Sequence, residues 1–257
     1  MEQWVRYEHQ GVQGFGTLSE NQVTACFGDM YSRPMATGTT LPLNEIDLLI
    51  PSYPTKMIGL WNNFHSRAKQ EGWEKPLHPL YFMKANGSFL ATGQTILQPP
   101  SYDGPVAFEG ELGIVIGKLC ANVSEINAEH YIFGYTCVND VTARGLMKED
   151  PSFVQWTRAK SFDTFGAVGP VIATDLDTSS LVVKTLVNGV EQQNYPVSDM
   201  FFLPHQIVSR LSRDMTLYPG DIIACGTSIG TGPMPPGCTV EVKIGGIGTL
   251  VNDFKQL

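Results

Sequence analysis

Apolar and polar positions alternate with a period of two through much of this chain, a pattern that predicts strands rather than long helices. It is plain at the start, where "WVRYEHQGVQGFGTLSENQVTACFG" alternates between Gly and Asn turns. Residues 1–50 therefore read as a small N-terminal β unit. The Pro- and Thr-rich stretch "TGTTLPLNEIDLLIPSYPTK" reads as a connection, with a boundary between Leu43 and Lys56, and 51–257 as the main domain. Beyond it the period changes. "NNFHSRAKQEG" predicts a short helix that Gly72 ends. "PLHPLYFMKANGSFLATGQTI" reads as loop, with Pro and Gly on both sides of "YFMK".

From Val106 onward strands dominate. "VAFEGELGIVIG" reads as one strand, "SEINAEH" as a short helix opened by Ser124, "YIFGYTCVND" as a strand and "TARGLMKED" as a helix. Asn188-Gly189 predicts a tight hairpin. "FFLPHQIVSRLSRDM" is the best amphipathic helix, and "GDIIACGT" and "TVEVKIGGIGTLVN" close the chain as strands. Strands do not alternate with long helices, which argues against a doubly wound parallel sheet. The expected class is α+β, mostly β: a sandwich or roll with a few short helices.

Composition narrows the function. With 42% hydrophobic and 16% charged residues over 257 positions, the chain should bury a proper core. A net charge of −8 without a Lys/Arg cluster argues against a nucleic-acid partner. The five cysteines are far apart and form no C-x-x-C pair, as in reduced, cytoplasmic proteins. The first residues have no signal-peptide pattern, and no run of about 18 apolar residues occurs, so cytoplasmic localisation and no membrane are expected.

One strand carries the candidate chemistry. Glu109 and Glu111 lie two apart, so in a regular strand both carboxylates share one face. Such a pair is either solvated or neutralised. All-oxygen ligands suit Mg²⁺, Mn²⁺ or Ca²⁺ rather than zinc, and Asp140 at the end of the next strand is the candidate third acid.

Five blocks, "FEGELGIVIGK", "YIFGYTCVNDVTAR", "QWTRAKSFDTFGAVGPVI", "TLYPGDIIACGTSIGTG" and "IGGIGTLVN", resemble in order and spacing the fumarylacetoacetate hydrolase family over roughly Pro51 to Asp253. The resemblance implies a catalytic domain over 51–257, a β-sandwich roll, a homodimer and one divalent ion per subunit, Mg²⁺ or else Mn²⁺ or Ca²⁺, on Glu109, Glu111 and Asp140. It implies a small 2-oxo or β-diketo acid as substrate. Lys160 matches a lysine beside that substrate, and Arg144 an arginine that contacts it. If the segment after Asp140 is helical, Arg144 shares its face. Gly226 and Thr227 form a turn able to offer N–H and hydroxyl donors to a substrate carboxylate. Lys84 matches a frequent family lysine with no role assigned.

His65 stands where the resemblance implies a general base that activates water. Relatives pair it with a glutamate three residues on; here that position is Ala68. Met147 stands where glutamine is common. The leading expectation is metal-dependent hydrolysis of a C–C bond in an acylpyruvate-like acid. The alternatives are a lyase or isomerase on the same platform, decarboxylating an oxaloacetate-type acid or interconverting keto and enol, and an inactive relative that only binds a 2-oxo acid.

Overall fold

The computed structural model describes residues 1–256. Short strands make two large sheets and one small one. The larger sheet runs, edge to edge, Met35–Pro42, Gln22–Phe27, Val12–Ser19, Gln3–His9, Gly166–Ala173, Ile132–Asp140, Gly110–Ile116, Ile222–Ala224, Met57–Trp61 and Leu80–Lys84. The first four listed form an antiparallel meander, and Gln3–His9 pairs with Gly166–Ala173, so the N-terminal segment extends the main sheet. The second sheet orders Val190–Pro196, Val182–Val187, Thr239–Ile244, Gly248–Lys255 and Thr95–Leu97.

The second sheet lies over the central strands of the first. Leu112, Ile114 and Ile116 meet Val183, Val240, Val242 and Leu250 between the sheets. On the opposite face Val115, Val138, Val168 and Ile172 pack with Trp4, Phe15 and Met57. Covering both faces explains why these strands are nearly continuous in apolar residues. The result is the mostly β roll with few short helices that the pattern predicts.

Four α-helices occur among the described residues: α1 (His65–Glu71), α2 (Arg144–Met147), α3 (Trp156–Lys160) and α4 (Pro204–Asp214). Gly72 ends α1 in the left-handed conformation at φ 71°, as its position predicts. Asn188 and Gly189 both adopt positive φ, as a two-residue hairpin turn demands.

Three expectations need correction. Val106–Gly117 is not one strand: Val106–Phe108 pairs with Thr142–Ala143 and Gly232–Pro233 in the small sheet, Gly110–Ile116 joins the large one, and Glu109 falls in the break. "YFMK" is no loop, because Leu80–Lys84 satisfies its backbone against Met57–Trp61 at the sheet edge. The helix expected over 142–150 shrinks to α2, since Thr142 and Ala143 are held in the small sheet. Arg144 therefore does not share a helix face with Asp140.

Candidate active site

The two glutamates are set by the glycine between them. Gly110 faces the second sheet, where an added Cβ would lie 2.0 Å from Thr185 Oγ1. Only glycine fits that close approach. Its N–H donates to Gln193 Oε1, and its carbonyl accepts from Thr227 Oγ1 and Tyr195 OH. Thus pinned, Gly110 sends Glu111 to the other face. Glu109 is tied to the next strand: its N–H donates to Asn139 Oδ1, and its carbonyl accepts from Asp140 N, both at 2.9 Å. Ligand oxygens of Glu109, Glu111 and Asp140 lie within 4.8 Å of one another.

Three cations surround the acids. Lys160, at the end of α3, donates from Nζ to Glu109 Oε2 at 2.6 Å and to Asp140 Oδ2 at 2.5 Å. Lys84, wholly buried, donates to Asp140 Oδ1 at 2.5 Å. Arg144 Nη2 reaches Glu109 Oε1 at 3.3 Å. Burial alone would raise Asp140, but the Lys160 and Lys84 ammonium groups outweigh it and hold its carboxyl below the usual range. Burial lowers Lys84, with Asp140 opposing. Burial also works against the charged form of Lys160, yet Asp140, Glu109 and Glu111 hold its ammonium well above the ordinary value.

Glu111 is the exception. It is 1% exposed, accepts one hydrogen bond from Gly226 N–H at 2.8 Å, and forms no salt bridge among the described residues. Burial first, then the neighbouring Asp140 charge, pushes its carboxyl well above the usual range. A buried carboxylate in this position calls for a cation on its open side. Three convergent carboxylates are hard oxygen donors, the set that Mg²⁺, Mn²⁺ or Ca²⁺ prefers. The residues present fit such an ion.

A cavity of about 1040 Å³ opens on this cluster. Glu109, Lys160, Arg144 and Thr227 line its charged end, and Met147 lies in its wall. Arg67 and Glu71 of α1 also face it, ion-paired at 3.1 Å. The Thr231 hydroxyl accepts from both Arg67 Nη1 and Arg144 Nη2, which ties α1 to the charged end.

Not every expected residue faces the cavity. His65 is not among the residues lining the cavity; it is exposed at the first position of α1, its ring centroid 4.2 Å from that of Phe201. Ala68 is buried and offers it no partner. Gly226 donates its N–H to Glu111, while the Thr227 hydroxyl donates to Gly110 O and accepts from Gln193 Nε2, with Thr227 lining the cavity. Sequence reasoning gave Lys84 no role, because reading "YFMK" as loop hid a strand that carries the lysine into the core.

The family sequence model described as "Fumarylacetoacetate (FAA) hydrolase C-terminal" matches residues 56–255, and one described as "Rv2993c-like, N-terminal" matches residues 2–51. Protein Rv2993c of Mycobacterium tuberculosis is 41% identical over 225 residues, 86% of this chain and 83% of that protein. The oxaloacetate tautomerase YisK of Bacillus subtilis is 36% identical over 226 residues, 82% of this chain and 74% of that protein. The crystal structure of 2-hydroxyhepta-2,4-diene-1,7-dioate isomerase from Mycobacterium marinum superposes with a TM-score of 0.91 at 36% identity, covering 100% of this chain and 99% of that one.

Proposed function

The chain belongs to the fumarylacetoacetate hydrolase family, and from that premise we propose that it is a divalent-cation-dependent enzyme that moves a proton within a 2-oxo acid, a keto–enol tautomerase or related isomerase. The observation that carries this reading is the position of His65. Hydrolysis of a C–C bond needs a base that takes a proton from water beside the substrate. His65 sits on the far side of α1, against Phe201, and has no carboxylate partner at Ala68. Proton transfer within the substrate needs no activated water. Of the three relatives named above, the two whose names state an activity are a tautomerase and an isomerase, which supports the same choice.

In this reading Glu109, Glu111 and Asp140 hold the ion. Bound there, a divalent cation would supply positive charge to the 2-oxo group, where negative charge develops as the proton of the adjacent carbon passes to a base; the Glu71 carboxylate, which lines the cavity, is placed to accept that proton and to return it in the reverse direction. Lys160 Nζ carries a proton at the cavity wall and is placed to donate to the substrate oxygen that gains charge. Arg144, fixed by Glu109 and Thr231, orients the substrate carboxylate. Buried Lys84 holds Asp140 ionised and in place.

A second reading, C–C hydrolysis of an acylpyruvate, is favoured by one observation: Glu71 of α1 lines the cavity and is a carboxylate within the same helix as His65. The two are separated by a direct assay. With Mg²⁺ or Mn²⁺ the protein is expected to accelerate ketonisation of enol-oxaloacetate, and to lose that activity in excess EDTA and regain it with metal. No acceleration, or full activity in EDTA, overturns the proposal; acylpyruvate cleavage instead moves hydrolysis into first place. We also propose a homodimer, which light scattering should report as about twice 28.2 kDa.

A further inference from the structure

The cavity is far larger than a small 2-oxo acid requires. At about 1040 Å³ it lies at the upper end of the range of about 300–1,000 Å³ that ligand sites span. Its two ends differ in chemistry. The charged end is described above. The rest carries Trp61, Trp73, Phe82, Trp156 and Met147, with Arg67, Glu71, Asn62 and Lys148 among the polar residues that share the lining. Three of the chain's four tryptophans therefore face one cavity.

These rings form a continuous surface. Phe82 and Trp156 stack at 5.4 Å with 9° between planes. Trp156 lies 6.0 Å from Trp61, and Trp61 lies 4.5 Å from Trp73. The surface begins at the charged end, because Lys160 Nζ is 5.0 Å from the Phe82 ring centroid. Trp61, Trp73 and Trp156 are each only half-buried, so apolar ring surface is left facing the cavity. Exposed apolar surface of this extent marks a place that a ligand covers. Only Phe82 and Trp156 are stacked; Trp61 is tilted by 60° to Trp156 and by 46° to Trp73, so the row offers both faces and edges to another flat ring.

Resting on the function proposed above, we infer that this wall selects 2-oxo acids whose far end carries a flat apolar group, an aryl ring or a planar unit of like size. The carboxylate and 2-oxo oxygens would lie at Lys160 and Arg144, beside the ion that Glu109, Glu111 and Asp140 would hold, and the ring against Trp156, Trp61 and Trp73. A small dicarboxylic acid leaves this wall uncovered.

The test uses oxamate, which carries the carboxylate and an adjacent amide carbonyl but no ring, and N-phenyloxamate, which adds a ring on the amide nitrogen. Calorimetry is done on full-length protein with Mg²⁺. N-phenyloxamate is expected to bind at least about tenfold tighter, the gain expected from covering one ring. Trp73→Ala, and separately Met147→Gln, which keeps the wall's volume but makes it polar, should reduce that ratio to about threefold or less. Circular dichroism of each variant establishes that it is folded. Equal binding of the two probes to the wild type overturns the inference and leaves the proposed function standing. A tighter N-phenyloxamate whose advantage survives in both variants overturns the assignment to this wall. Failure of both probes to bind in the presence of Mg²⁺ overturns the proposed function and this inference with it.

Discussion

At the scale of single residues, the alternation Glu109-Gly110-Glu111 is explained by both of its faces. Gly110 lets the second sheet approach to where any side chain would collide with Thr185, and the glutamates project the other way into the acid cluster. The cations are shared unevenly there: Lys84 and Lys160 hold Asp140, Lys160 and Arg144 hold Glu109, and Glu111 has only a backbone N–H. This predicts the behaviour of Glu111→Gln. The substitution should abolish binding of Mg²⁺ or Mn²⁺ by calorimetry while leaving the metal-free fold at least as stable. The sign follows from linkage. Glu111 has a folded-state value above its ordinary 4.5, so its contribution is fully present below 4.5 and is lost as pH rises through the raised value. Urea unfolding of the wild type in EDTA should therefore weaken as pH rises through that window. Adding metal, or replacing Glu111 by Gln, should flatten the slope. A variant that still binds metal with wild-type affinity would remove Glu111 from the ligand set.

At the scale of elements, α1 decides what reaches the cavity. Its N-terminus is fixed by Asp199 Oδ2, which accepts from Ser66 N–H, and its C-terminus by Gly72, whose left-handed turn leads to Trp73. In this setting Arg67 and Glu71 line the cavity and His65 does not. His65→Ala should accordingly leave tautomerisation of oxaloacetate within about threefold of wild type, whereas loss of a true general base typically costs about 10²–10⁴-fold. A fall of that larger size in steady-state kinetics would return His65 to the reaction. The sequence showed α1 and its end at Gly72, because capping glycine and helical spacing are local signals. It did not show which side of α1 faces the cavity, because that depends on Phe201 and Asp199, far away in the chain. The E-x-E pair was legible for the same local reason, although the strand breaks at Glu109. Lys84 was not, since Pro79 and Gly87 surround a strand whose hydrogen bonds come only from Met57–Trp61. The aromatic wall was also illegible: Trp61, Trp73 and Trp156 converge through the sheet edge, the end of α1 and the start of α3.

At the scale of the whole molecule, the two stacked sheets account for the cysteines. Cys120, Cys137, Cys225 and Cys238 are buried and unpaired, and Cys26 is half-buried on the N-terminal meander. No helix of the described residues is long and apolar enough to cross a membrane. Burial raises all five thiols, most tellingly Cys137, pushed from 9.0 up to about 12 between the sheets. For Cys225 burial acts first and the Glu111 charge adds to it. The thiolate is the reactive form, so native protein should react slowly with iodoacetamide at neutral pH, and at Cys26 before any other cysteine. Denaturant should expose all five, which peptide mass spectrometry reads directly. The same shifts set a stability trend. In the unfolded chain Cys137 ionises near 9.0, while in the folded protein it stays neutral until about 12, so its contribution is present below 9.0 and lost as pH climbs through that interval. The midpoint of urea unfolding should fall between about pH 9 and about pH 12, and Cys137→Ala should shrink the fall even if it lowers stability at neutral pH. Rapid native labelling of Cys137 or Cys225 would mean that the sheets open far more readily than their packing allows.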